Sequence, residues 1–236
     1  MARNGSDATD VDSRIEAAGK AFGALRGCVL SSTHINMTAK RVVYEVLILA
    51  ILLYGAESWS VTEEMLRRLR VFHAHCVRAM CRVSRKHTWE HHISTAQLER
   101  RLGLDPIDIY ISRRQLRWLG HVRRMDYERL PRRMLSSWVA CTRPRGAPPM
   151  TYGRSIGRAL DDFHIDRRTW MDLAADRSAW RETLRVGHPP GYVEAPPTPP
   201  LALRARPTRG AAIAAGCGIE RSLRALRAPI DATDPP

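Results

Sequence analysis

The stretch from Val42 to Tyr54 limits the fold more than any other part of this chain. It is the longest apolar run, interrupted by Glu45. It is too short to cross a bilayer, which takes about 20 apolar residues, and longer than an ordinary strand. The spacing predicts a helix from about Thr38 to Tyr54, with Thr38 as N-cap and Gly55 as the stop. Its β-branched content leaves a β-strand as the alternative. Val42, Val43, Val46, Leu47, Leu49, Ile51, Leu52 and Leu53 occupy nearly the whole circumference, so the helix is expected to be buried among others. A chain built around such an element is mainly α.

Other segments carry the same period. Residues 1–10 are small and polar, and are expected to be frayed. Ile15, Ala18, Phe22 and Leu25 mark one face of a helix from about Val11, with Gly27 as its end. Another helix starts near Thr62 and carries Glu63 and Glu64 in its first turn, where the helix dipole favours carboxylates. Leu66, Leu69, Phe72, Cys76, Met80 and Val83 line its apolar face. Residues 84–103 read as a connection plus a short helix, Ser94 to Arg101, closed by Gly103. Asp105-Pro106 then opens a long helix to Met125, with Asp as cap and Pro at the first position. On an ideal period, Ile107, Ile111, Trp118, Val122 and Met125 share its buried face, and Arg113, Arg117 and Arg124 form a stripe well away from it, with His121 on the border.

Cys141 to Pro149 is a proline-rich loop, and helices are expected again over 152–163 and 167–185. From residue 186 the chain is Pro/Ala/Gly/Arg-rich with few large apolar residues. That composition predicts a disordered tail over 186–236, apart from a short helix near Ile219 to Arg227. The expected layout is a frayed 1–10, a helical region over 11–103, a basic helical region over 104–185 and the tail.

The formal net charge is +14, which favours polyanionic partners. Arginine outnumbers lysine by 35 to 3. Two readings of that ratio stand: guanidinium forks suit phosphate, and a GC-rich coding sequence gives the same bias, since Ala, Pro and Gly are abundant and Lys, Asn and Phe scarce. The five cysteines form no Cys-x-x-Cys pair and no signal peptide precedes them. The expected setting is therefore reducing and intracellular, nuclear or cytoplasmic, and not secreted. No membrane association and no small-molecule substrate are expected.

The Arg113/Arg117/Arg124 stripe would meet successive phosphates along a nucleic-acid backbone, or serve as a solvated face. Trp118 is read as core rather than as a stacking surface. His73, His75, Cys76, Cys81, His87, His91 and His92 are zinc-ligand types, but their spacing is poor and Cys76 falls on an apolar face. Asp161-Asp162 has the look of a two-metal carboxylate pair, yet it follows Arg158-Ala159-Leu160 in a helical context rather than a hairpin. No Gly-x-Ser-x-Gly elbow and no phosphate-cradling glycine loop occurs. No metal site and no independent active site are expected.

Six tracts, taken in order, resemble the reverse transcriptases of non-LTR (LINE-type) retrotransposons. They are Arg14-Ile15 through Ala21-Phe22-Gly23-Ala24-Leu25; Leu52-Leu53-Tyr54-Gly55-Ala56-Glu57-Ser58-Trp59; and Phe72-His73 through Cys76-Val77-Arg78. They continue with Arg113 through Met125, similar to "RR.LRW.GHV.RM" and followed by Leu130-Pro131; Arg143-Pro144-Arg145-Gly146-Ala147-Pro148; and Ala175-Asp176-Arg177-Ser178-Ala179-Trp180-Arg181. The resemblance covers about residues 11–185 and departs at Ala50, where relatives often carry Pro, and at Tyr152, where they often carry Trp.

In that family the region is the thumb and post-thumb segment. The resemblance implies a helical thumb-like bundle that grips an RNA–DNA or DNA duplex through its backbone, without sequence specificity. Arg113, Arg114, Arg117, His121, Arg123 and Arg124 are the implied nucleic-acid contacts, and the Leu-Tyr-Gly and Trp positions the implied structural ones. The family's catalytic Asp residues and their Mg²⁺ belong to the palm, which lies upstream of this region and would be its packing partner. These residues are therefore expected to need no cofactor and to be a truncated, catalytically inactive remnant of an RNA-directed DNA polymerase. The alternatives are an independent helical nucleic-acid-binding module, or a pseudogene-like product that does not fold alone.

Overall fold

The structure is a computed structural model of the 236-residue chain, and it describes residues 7–136 and 151–187. The predicted tail beyond residue 187 and the proline-rich loop fall outside the described residues. Within these every regular element is helical, and no strand occurs among them. None of the helices is long and apolar enough to cross a membrane.

Helix α1 runs from Asp7 to Leu25, so it begins inside the segment expected to be frayed. Two acids anchor that extra turn. The Asp7 carboxylate accepts the Ser60 backbone N–H at 2.7 Å, and Asp10 accepts the Trp59 indole N–H at 2.9 Å. Gly27 does not end the helix. The chain widens into a π turn, Arg26–Leu30, that seats Leu30 in the core.

The apolar run forms α2 (Met37–Val43), a π turn (Tyr44–Ile48) and α3 (Leu49–Leu52) in one continuous rod. Asn36 rather than Thr38 caps it, accepting the Ala39 N–H at 2.7 Å. Residues four apart drift by about 40° per step around an α-helix; the wider π turn holds Lys40, Tyr44, Ile48 and Leu52 on one buried line. The opposite side is not covered. Val42, Val46 and Leu47 are 51%, 62% and 45% exposed, which corrects the expectation of an all-round buried helix. The reason is tertiary: the neighbouring helices lie on one side of the rod.

Helix α4 (Glu63–Met80) starts where the sequence predicts, and Thr62 caps it by accepting the Met65 N–H at 3.3 Å. Short α5 (Arg85–Glu90) occupies what was read as a connection. Helix α6 (Thr95–Leu102) has a reciprocal Ser94–Gln97 capping box and ends at Gly103, whose φ of +69° favours glycine. A buried polar chain ties three of these elements: the Tyr44 hydroxyl lies 2.9 Å from His73 Nδ1, and His73 Nε2 lies 3.3 Å from Glu99. Burial pushes the Cys76 thiol up to about 12 and the Cys81 thiol up to about 11, as suits inert core cysteines. Among the described residues no three His, Cys, Asp or Glu side chains gather as a metal would need.

Helix α7 (Ile107–Arg123) is the central beam. Pro106 stands at its cap, and Asp105 makes no cap but an ion pair with Arg113. One side of α7, through Ile107 and Ile111, closes the apolar cluster built by α1 to α4 and α6. Its other side, through Ile109, Leu116 and Leu119, closes a second cluster with α9 (Tyr152–Asp162), α10 (Trp170–Leu173) and α11 (Arg177–Val186). Short α8 (Leu130–Ser136) follows α7. Between the clusters the buried Gln115 amide donates to the Trp59 carbonyl at 2.9 Å and accepts the Ser155 hydroxyl at 3.2 Å, so this core amide has partners on both sides.

Candidate nucleic-acid interface

The six residues singled out on α7 separate into two sets. Arg113 is 18% exposed, bonds Asp105 at 2.9 Å and lies over the Phe163 ring at 5.9 Å. Arg114 is half-buried and donates to the Leu53 carbonyl at 3.2 Å. Arg123 is half-buried, with its Nε lacking a partner. Arg113 and Arg114 are held in the fold by these partners. Arg117, His121 and Arg124 instead line one cleft. The straight stripe of the helical wheel is thus broken at Arg113, because packing against the second cluster draws that side chain inward.

The other wall of the cleft comes from α11, which sequence reasoning did not single out. Arg177, Arg181 and Arg185 line it together with Trp180 and Leu184. The signal was legible: arginines at i, i+4 and i+8 share a helix face, and Asp176 caps the helix by accepting the Ser178 and Ala179 N–H groups.

Gly120 sets the approach of the two walls. A Cβ at that position would lie 2.3 Å from Trp180 Nε1 and 2.6 Å from Cδ1, so only glycine admits the indole. Trp180 is 2% exposed, and its N–H donates to the Leu116 carbonyl at 3.0 Å. The Gly-His pair of one tract and the Trp-Arg pair of another, 60 residues apart, are therefore one contact. Trp118 is half-buried rather than core, its ring tilted against His121 at 5.5 Å.

The cleft holds about 740 Å³ and no carboxylate lines it. Arg185 pairs with Glu182 outside it, and Arg124 donates to the Ala174 carbonyl at 2.7 Å. Among the described residues no carboxylate pairs with Arg117, Arg124, Arg177 or Arg181. Partial burial, and then the charges of Arg113, Arg114 and Arg181, hold the Arg117 guanidinium below its usual range. Burial, followed by Arg177 and Arg181, does the same to Arg124. Guanidiniums that depress one another are held against mutual repulsion, and an anion between them would relieve it. Their planar forks suit phosphate oxygens.

A transposon-derived protein of Caenorhabditis elegans, itself uncharacterised, is 23% identical to this chain over 182 residues. The likeness is to a protein of transposon origin. It takes in 75% of this chain, and the chain spans 64% of that relative's length. No protein-family model and no solved structure matches the chain.

The acidic pair lies apart from the cleft. Asp161 binds Arg167, with Nε to Oδ1 at 3.0 Å, and Asp162 accepts the Ser112 hydroxyl at 2.9 Å. Both stand at the end of α9.

Proposed function

We propose that this chain derives from the thumb and post-thumb segment of a non-LTR retrotransposon reverse transcriptase. What it retains is sequence-independent binding to the phosphate backbone of an RNA–DNA or DNA duplex. The observation that carries the reading is the carboxylate-free cleft, in which two helices far apart in sequence converge five arginines and a histidine. The likeness to a transposon-derived protein supports the origin. The uncovered side of the α2–α3 rod, Val42, Val46 and Leu47, fits a surface that a palm would cover. On this reading the residues of this chain supply grip and no catalysis. Asp161 and Asp162 serve an ion pair and a hydroxyl rather than a metal.

The test is anisotropy titration of the full chain against a labelled RNA–DNA primer–template across a salt series. Affinity should fall steeply with salt. Arg117→Ala and Arg181→Ala should each weaken binding to any sequence and lower the salt slope by about one. Binding that ignores salt, or variants with the wild-type slope, would overturn the proposal. A self-standing binding module is the second reading, favoured by the two closed apolar clusters and the capped helices. A cooperative thermal melt of the full chain supports it, and a gradual one counts against it.

A further inference from the structure

A second cationic group lies away from the α7–α11 cleft, where the π turn after α1, the end of α4 and the start of α5 meet. His75 and Arg78 stand one turn apart on α4. The Phe22 ring meets the His75 ring edge-on at 6.4 Å, and the Ser31 hydroxyl donates to the Ala79 carbonyl at 3.2 Å. These contacts bring the turn that carries Arg26 beside the last turn of α4. The chain then reverses at Arg82, with φ +58°, and the Val83 N–H closes on the Arg78 carbonyl at 3.0 Å, which starts α5 at Arg85. Burial and then Arg78, Arg26 and Arg85 hold the His75 imidazole below its usual range, and burial and Arg85 do the same to Arg78. Among the described residues no carboxylate pairs with Arg26, Arg78 or Arg85. Three elements thus present a cation cluster with no protein counter-charge.

One turn beyond Arg85, on the same face of α5, stands Trp89. It is 79% exposed, the largest exposure of any big apolar side chain among the described residues. A large aromatic usually buries most of its surface. Its short helix is firmly built: Ser84 caps it by accepting the His87 N–H at 3.1 Å, and the Thr88 hydroxyl donates to the Arg85 carbonyl at 2.7 Å. The His87 and His91 rings lie 4.2 Å apart, tilted by 53°, and the Ile93 N–H closes the end on the Thr88 carbonyl at 2.9 Å. The indole is displayed in water by a turn that is itself ordered, beside cations that lack an anion.

We infer that Arg26, Arg78, Arg85 and Trp89 form a second nucleic-acid site, selective for single strands, in which the guanidiniums hold phosphates and Trp89 stacks an unpaired base. A duplex keeps its bases stacked on one another and offers the indole no free face. A single strand offers both phosphate and base, and stacking of this kind accepts any base. Charge complementarity favours this occupant over an apolar protein surface, which would have to desolvate the same arginines. The site uses none of the residues of the α7–α11 cleft.

The experiment uses the full chain and three labelled probes of equal length: oligothymidylate, a base-free sugar–phosphate strand, and a duplex. Wild type should prefer oligothymidylate to the base-free strand. Trp89→Ala should weaken oligothymidylate binding by about 5- to 150-fold and leave the other two probes unchanged. Trp89→Phe should recover most of the loss. Arg85→Gln should weaken both single strands. Arg117→Ala should lower duplex affinity and keep the preference for bases, so failure of the cleft reading and failure of this one give different patterns. The inference is overturned if oligothymidylate and the base-free strand bind alike, or if Trp89→Ala binds oligothymidylate as wild type does. It is equally overturned if that variant changes only self-association, which would make the indole a protein contact. Because Trp89 lies in water, its loss leaves the fold intact, and circular dichroism of each variant checks this.

Discussion

Gly120→Ala is the substitution that tests most directly how the cleft is built. On helix propensity alone it should stabilise, since alanine is favoured over glycine in a helix interior by about 1 kcal/mol. Packing predicts the opposite. The new methyl would sit 2.3 Å from Trp180 Nε1 and 3.0 Å from Cε2, and the indole, 2% exposed, has no free space to enter. Forcing it aside costs about 1–3 kcal/mol in overpacking. It also breaks the 3.0 Å bond to the Leu116 carbonyl, which leaves a buried N–H without a partner at about 1–3 kcal/mol more. After the propensity gain the net loss is about 1–5 kcal/mol. At the middle of that range the melting temperature should fall by about 6–12 °C for a domain of this size. Thermal denaturation followed at 222 nm measures it. The double variant Gly120→Ala/Trp180→Phe should lose less than the two single losses combined, because the smaller ring makes room. A Gly120→Ala protein that melts at or above the wild-type temperature, or strict additivity in the cycle, would refute the view that this glycine exists to admit the tryptophan.

Other outcomes follow from the same geometry. Arg113→Ala should cost about 1–3 kcal/mol of stability by leaving Asp105 half-buried and unpaired, yet keep the wild-type salt slope for duplex binding, which a melt and a titration together would read. Val46→Glu should change stability by no more than about 0.5 kcal/mol, because the side chain is 62% exposed; a larger loss in a denaturant titration would mean that the face is covered in solution. Asp162 is raised above its ordinary value of 3.8 by burial first, with Asp108 and Asp161 adding to the rise against the opposing Ser112 hydroxyl and Arg158. A carboxyl raised in the fold holds its proton more tightly folded than unfolded, so its contribution is present in acid and is lost as pH rises through the raised value. Asp162→Asn keeps an acceptor for Ser112 and should therefore be more stable than wild type at neutral pH. The two should converge as pH falls towards 3.8, and stability curves at several pH values check the convergence.

Duplex grip by the cleft and capture of an unpaired base by Trp89 describe different substrates, and a template–primer junction contains both. The two sets of residues sit on different helices, and the two proposals assign them different probes. Their separate variants can show whether one strand engages both sites.

What the sequence determined by itself was local. The helical class, the start of α4 near Thr62, the start of α6 at Ser94 and the Gly103 stop depend on groups within about four residues of one another, and a helix end is made by its own neighbours. The same logic failed where a side chain had a better partner far away. Asp105 left its cap for Arg113, and Asp7 and Asp10 drew the first helix back by bonding residues about 50 positions on. Helical wheels placed Arg117, His121 and Arg124 on a common side, but could not know that Arg113 and Arg114 would turn inward to Asp105 and Leu53. Nor could they bring α11 across from α7. That pairing rests on a glycine and a tryptophan 60 residues apart, and each alone reads as an ordinary helix position. The coverage of the apolar rod was likewise decided in three dimensions. Periodicity shows which faces of a helix are apolar, but only the placement of its neighbours decides which of those faces leave water.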